Sequence, residues 1–230
     1  MDTLFEGLSI ARSINEKWLL ALCLFTLSVY ERSLGKLSDA RQKLEESLRL
    51  IDLIGDHQIR PDVLEGLGEV AEIECDYQHA LQYYKESLAL VTDVGDADGI
   101  VNIPIDIGRV YQISGDRASA AQFFNMALQA SLQYGSKIGL IHALEGLGTV
   151  AQARGDSHRA ILLFQASASL FDNLSQRLFD DLNLSAWSEK FFLDARAQVG
   201  NESFSTLTKE GQAMTLEQAV QYALEETKEG

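Results

Sequence analysis

The chain has 230 residues, of which 46% are hydrophobic and 23% charged, and its formal net charge is −15. That composition is ordinary for a folded protein. The acidic excess disfavours nucleic acid and anionic membrane as partners, since both need neutralising Lys and Arg. It permits a basic peptide, a cationic ligand or a positively charged neighbouring domain. The start of the chain lacks the basic and apolar segments of a signal peptide. The most apolar stretch, Trp18 to Tyr30, is too short to span a bilayer, so a cytoplasmic chain is expected.

In chain order, a repeat of 40 residues governs everything up to about residue 175. Residues 1–15 open with what reads as the second helix of an earlier unit, since Leu4, Gly7 and Leu8 precede Leu44, Ser47 and Leu48 by one period. Four units follow, roughly 17–55, 57–95, 99–135 and 139–175. Each is predicted to be two helices joined by a turn at Gly35, Cys75, Gly115 or Gly155. Alanine recurs five residues after each turn, at Ala40, Ala80, Ala120 and Ala160, and a large apolar residue follows at Leu44, Tyr84, Phe124 and Phe164. Within the first helices Gly68, Gly108 and Gly148 recur, each a cost of about 1 kcal/mol relative to Ala that close helix packing must justify. Asp76, Asp116 and Asp156 are placed to cap second helices, Gly55, Gly95 and Gly135 to end them, and Pro61 to open a first turn. Pro104 makes the third unit's first helix start late or kink. Cys75 reads as a packing residue, and with Cys23 it makes neither a disulfide framework nor a metal cluster.

After residue 176 the period is lost. Arg177 to Val199 reads as one long helix stopped by Gly200, followed by short helices over Ser203–Gly211 and Thr215–Glu226. Thr215 and Gln218 form a capping box. This tail is expected to cover the exposed end of the last unit.

A period of this length signals stacked supersecondary units. The pairs Leu67-Gly68, Ile107-Gly108 and Leu147-Gly148, with Ala80/Tyr84, Ala120/Phe124 and Ala160/Phe164, resemble the L-G and A-x₃-F signature of tetratricopeptide repeats. The unit departs from that family in being longer, in lacking the terminal Pro, and in having Leu64, Pro104 and Leu144 at the Trp position. Its Gly115-Asp116 and Gly155-Asp156 steps, and the tail segments 195–204 and 210–220, are similar to the C-terminal repeat region of bacterial STAND-ATPase regulators of the LuxR and AfsR types. The resemblance implies an all-α, right-handed α-solenoid of helix pairs. The expected division is a repeat array over 1–176 and capping helices over 177–230. It implies a sensor or scaffold part of a regulator. No phosphate loop, helix-turn-helix or cyclase motif is present to carry those outputs.

Catalytic and metal motifs dissolve on inspection. Gly66–Ala71 and Gly146–Ala151 fit a dinucleotide fingerprint but lie inside helices at the repeat period, so helix packing explains them. Gly95–Gly99 fails as a calcium loop, because Val94 and Ile105 would hold ligand positions. Ser33–Lys36 lies on the repeat turn, and its companion motifs are missing. His57, His79, His142 and His158 show no paired spacing. No enzyme activity and no cofactor or metal are expected.

The resemblance places the first helix of each unit along a concave groove. The groove candidates are Asp62, Glu65, Glu69 and Glu72, then Asn102, Ile105, Arg109 and Gln112, then His142, Glu145, Thr149 and Gln152. The earliest unit adds Leu22, Phe25, Val29 and Arg32. The expected function is binding a protein or peptide, with Lys or Arg facing the glutamates. The alternative is a small-molecule sensor with its ligand among Phe25, Ile105, Tyr111 and His142, controlling a linked ATPase or DNA-binding output domain. The half-unit at the start leaves an apolar face open, so a homodimer through the N-terminal end is expected.

Overall fold

A computed structural model describes residues 2–14, 16–55, 58–178 and 186–225, and twelve helices lie among these described residues. Among the described residues every regular element is an α-helix, and the chain forms two units, residues 1–96 and 97–230. The first holds α1 (Asp2–Ser13) and the pairs α2 (Lys17–Ser33) with α3 (Leu37–Ile54) and α4 (Arg60–Ile73) with α5 (Tyr77–Val94). The second holds the pairs α6 (Ala97–Ser114) with α7 (Arg117–Tyr134) and α8 (Lys137–Ala153) with α9 (Ser157–Leu178). It continues with α10 (Ala186–Gln198), α11 (Asn201–Ala213) and α12 (Leu216–Glu225). Within each unit consecutive helices pack on one another as far as α10, the arrangement of a helical-repeat solenoid, while α11 and α12 pack back on α9.

The recurring glycine and aromatic residues meet. A Cβ on Gly68 would lie 2.6 Å from the Tyr84 ring, on Gly108 2.8 Å from Phe124, and on Gly148 3.2 Å from Phe164. Tyr84 and Phe124 are fully buried, and the invariant Ala40, Ala80, Ala120 and Ala160 have no exposed surface. In three of the four pairs the first helix therefore lies directly against the ring of its own second helix. The first glycine of each G-x-G pair serves the neighbouring repeat: Gly66 abuts Leu44, and Gly146 closes on Phe124 from the other side. A polar tie accompanies this packing in the first unit, where the buried Ser47 hydroxyl donates to the Ala21 carbonyl and Ser87 to Pro61, both at 2.8 Å.

The turns match their residues. Gly35, Gly115 and Gly155 have φ of 72°, 92° and 89°, and Cys75 sits in the same left-handed region at 62°. Cys75 is exposed, which corrects its reading as a packing residue: its position demands a backbone conformation, not a side chain. Cys23 is the buried thiol, and burial pushes its pKa up. Asp76 and Asp116 accept from the backbone N–H of His79 and Ser119, and Asp156 from that of Arg159. Side-chain hydrogen bonds from His79 and Ser119, respectively, help hold both Asp76 and Asp116 below the usual carboxylate range. Pro61 stands in the first turn of α4. Helix α6 begins at Ala97 and runs through Pro104 to Ser114, so it does not start late.

The tail packs onto the last pair. Phe192 of α10 meets Phe164 edge-on at 5.7 Å, Ala195 is fully buried, and Ser157 Oγ lies 2.6 Å from Gln198 Oε1. A Cβ on Gly211 of α11 would come within 2.8 Å of the Leu162 carbonyl. The Thr215–Gln218 capping box forms reciprocally, at 2.9 and 3.2 Å. The expected helix over 177–199 is α10, with residues 177 and 178 ending α9; Leu182, in 179–185, lies outside the described residues, as does His57.

Substituting Ala at Gly68 or Gly108 trades a helix-propensity gain of about 1 kcal/mol against overpacking of about 1–3 kcal/mol. Both variants are expected to lose stability in urea unfolding, while Gly148→Ala, with its ring farther away, stays near neutral. Equal effects at all three would contradict the ring contact as the cause. Cys75→Gly is expected to gain about 1 kcal/mol by relieving the left-handed backbone. A loss of stability would mean that the thiol packs after all.

Candidate functional site

The surface of interest starts from helix periodicity. In α4, Val63, Leu64, Leu67, Val70 and Ala71 are buried, which turns Asp62, Glu65, Glu69 and Glu72 away from the core. Asp62 is exposed, and Glu65, Glu69 and Glu72 are half-buried. The carboxyl of Asp62 is raised above its ordinary pKa, first by burial and then by the charge of Asp96. From α2, the Arg32 guanidinium forms an ion pair with Glu69. The Tyr84 hydroxyl donates to Glu72 at 3.0 Å. Also on α2, Leu22 and Phe25 pack against the core cluster of this unit, and Val29 is 42% exposed. Predicted residues from two first helices thus come together here: an apolar strip on α2 beside an acidic strip on α4, joined by Arg32–Glu69.

The second unit differs. On α6, Asn102 is exposed, and Arg109 is half-buried and paired with Asp106 at 2.7 Å. Ile105 is in the core, and buried Gln112 donates through Nε2 to the Thr149 carbonyl at 3.0 Å. On α8, His142 is half-buried with Nδ1 3.6 Å from the carboxylate of Glu145, which is only 2% exposed. Thr149 is fully buried and donates to the Gly146 carbonyl at 2.7 Å, while Gln152 accepts from Ser157 at 2.9 Å. Ile105, Gln112, Glu145, Thr149 and Gln152 therefore lie inside this unit and not on an open floor. The physical reason is close packing: α6 lies against α8, and α10 covers α8 in turn.

Of the residues named for a small ligand, Tyr111 stacks on Phe123 at 5.7 Å and Ile105 is core. Among the described residues no group of three or more His, Cys, Asp or Glu is placed to hold a metal ion. No described helix is long and apolar enough to cross a membrane.

Sequence reasoning passed over Arg159. It is 9% exposed, and its guanidinium donates to the carbonyls of Tyr222 at 2.6 Å and Ala223 at 3.2 Å, lying 4.6 Å from the Tyr222 ring centroid. Those carbonyls belong to the last turns of α12, where helix carbonyls lack intrahelical donors. The available signal was a lone Arg where the other units have Asp39, His79 and Ser119.

Residues 60–133 match the tetratricopeptide-repeat family model, a span that takes in α4, α5, α6 and nearly all of α7. No curated protein matches the chain. The chain carries tetratricopeptide-like helical repeats. Such repeats generally mediate protein–protein interaction, and their fold is typically a non-catalytic scaffold.

Proposed function

We propose that this chain is a non-enzymatic docking module that takes a basic protein segment on the first-helix face of residues 1–96. The observation that carries the reading is the juxtaposition of Leu22, Phe25 and Val29 on α2 with Asp62, Glu65, Glu69 and Glu72 on α4. A segment laid there would bury apolar side chains on the α2 strip and set Lys or Arg against the carboxylates. Asn102, Arg109 and His142 are the accessible candidates of the second unit. In this reading the module is the sensor or scaffold part of a bacterial regulatory protein, and occupancy of the face alters its packing against a linked ATPase or output domain. A protein segment takes precedence over a small ligand because Ile105 and Tyr111 are already engaged in packing.

Arg32 has a defined part in this scheme. Its ion pair with Glu69 occupies a carboxylate that an incoming cation needs, so it acts as an internal competitor. Arg32→Gln is expected to tighten binding of a flexible lysine-rich peptide several-fold. Glu65→Lys combined with Glu69→Lys is expected to abolish it. Titration calorimetry at low and high salt tests both, since a contact dominated by surface charge weakens as salt screens it. Unchanged or weaker binding by Arg32→Gln would contradict a site centred on Glu69.

A further inference from the structure

The last helix of the second unit borders a trough whose floor its own packing only partly covers. Helix α12 turns Ala219, Val220 and Ala223 inward, and Arg159 holds its C-terminal carbonyls. Between its outer flank and α7 lies an open cavity of about 690 Å³. Leu216, Val220 and Leu224 recur every four residues, and the half-buried Leu216 and Leu224 flank the buried Val220 where the edge of the core meets the cavity. Leu132 of α7, 44% exposed, faces into the same space. A parallel row at the same spacing, Glu217, Gln221 and Glu225, forms the rim, with Gln129 opposite. Among the described residues, no Lys or Arg lines the cavity. Ten residues of α12 give a trough of about 15 Å, close to three helical turns.

The geometry points to a second docking site, in which a short amphipathic helix lies in this trough, its leucine-type row on Leu132, Leu216, Val220 and Leu224 and its Lys or Arg residues against Glu217 and Glu225. An apolar floor alone would accept many occupants. The acidic rim selects among them, because a cation beside each glutamate is favoured and another carboxylate is repelled. A second copy of this chain is a poor occupant by the same argument, since its net charge is −15. Anchors at i, i+4 and i+8 on one wall match the spacing that a helix offers on its own face, which favours a helix over an extended strand. The site is separate from the α4 face: it uses α7 and α12 and none of Asp62, Glu65, Glu69 or Glu72.

The test uses the full chain and two synthetic helical peptides of about 14 residues, long enough to fill the trough. One is built from leucine and lysine with the leucines on one face. The other keeps the leucines and replaces every lysine with glutamate. Fluorescence anisotropy is expected to show binding of the lysine peptide alone. Leu132→Asp is the decisive variant, because it puts a carboxylate on an exposed position of the apolar floor without disturbing the core. If the peptide sits in the trough, its affinity falls about tenfold or more. If it is held by diffuse attraction to an acidic surface, the added carboxylate leaves affinity unchanged or raises it, and the proposal is overturned. Glu217→Gln with Glu225→Gln is expected to reduce the salt dependence of binding; an unchanged salt slope overturns the assignment of a basic partner. Sedimentation equilibrium decides the remaining occupant: a dimer that Leu132→Asp dissociates would mean that a second copy fills the trough, contrary to the proposal. Because the α4 glutamates take no part, reversing them leaves the Leu132→Asp effect in place, so this site and the α4 face can fail independently.

Discussion

An aromatic ring seated on a glycine is the contact from which the rest of the repeat follows. Gly68 under Tyr84 and Gly108 under Phe124 leave no room for a Cβ, and Gly148 under Phe164 leaves little. The rings fill the space that would otherwise separate the two helices of a pair. The arrangement has a cost, since a glycine inside a helix forfeits about 1 kcal/mol of propensity. Burial of a Phe or Tyr side chain returns about 1.5–3 kcal/mol, so the exchange is favourable. The same ring also receives the neighbouring repeat, as Phe124 does from Gly146, and one residue thereby sets spacing within a pair and between pairs.

What faces outward is decided by this close approach. Where first helices carry charged residues opposite their buried stripe, as α4 does, the charges stay accessible. Where they are surrounded by Gly, Ala and Thr, as in α8, neighbouring helices close over them, and Glu145 and Gln152 end in the interior with protein partners. Polar groups held inside in this way fix geometry because each needs its hydrogen bond. Gln112 to Thr149 and Ser157 to Gln152 are bonds of that kind. The proposed docking surfaces are accordingly uneven along the chain, on α2 and α4 in one unit and along α7 and α12 in the other.

Much of this was legible in the residues. Helix pairs and turns follow from short-range chemistry that repeats four times, the Asp caps recur three times and the G-x-G segments twice, so the copies check one another. The Thr215–Gln218 box, present once, was legible because its mechanism is local. Two kinds of feature were hidden. Cys75 breaks a glycine column, and residue identity alone suggested a side-chain role where the backbone makes the demand. Burial of Ile105, Glu145 and Thr149 depends on which distant element lies over them, and no periodic pattern within α6 or α8 carries that information. Arg159 was hidden for the same reason, since its partners lie more than sixty residues ahead on α12.

Residues 1–96 are the proposed recognition surface, with charge as its selective element. The most direct measurement is capture from a lysate of the source organism, read by mass spectrometry, with this chain beside a Glu65→Lys, Glu69→Lys, Glu72→Lys variant of unchanged helicity and unfolding midpoint. The account predicts a protein enriched by the unaltered chain, lost with the variant and released by salt. A partner retained equally by both would contradict the acidic face of α4 as the docking site.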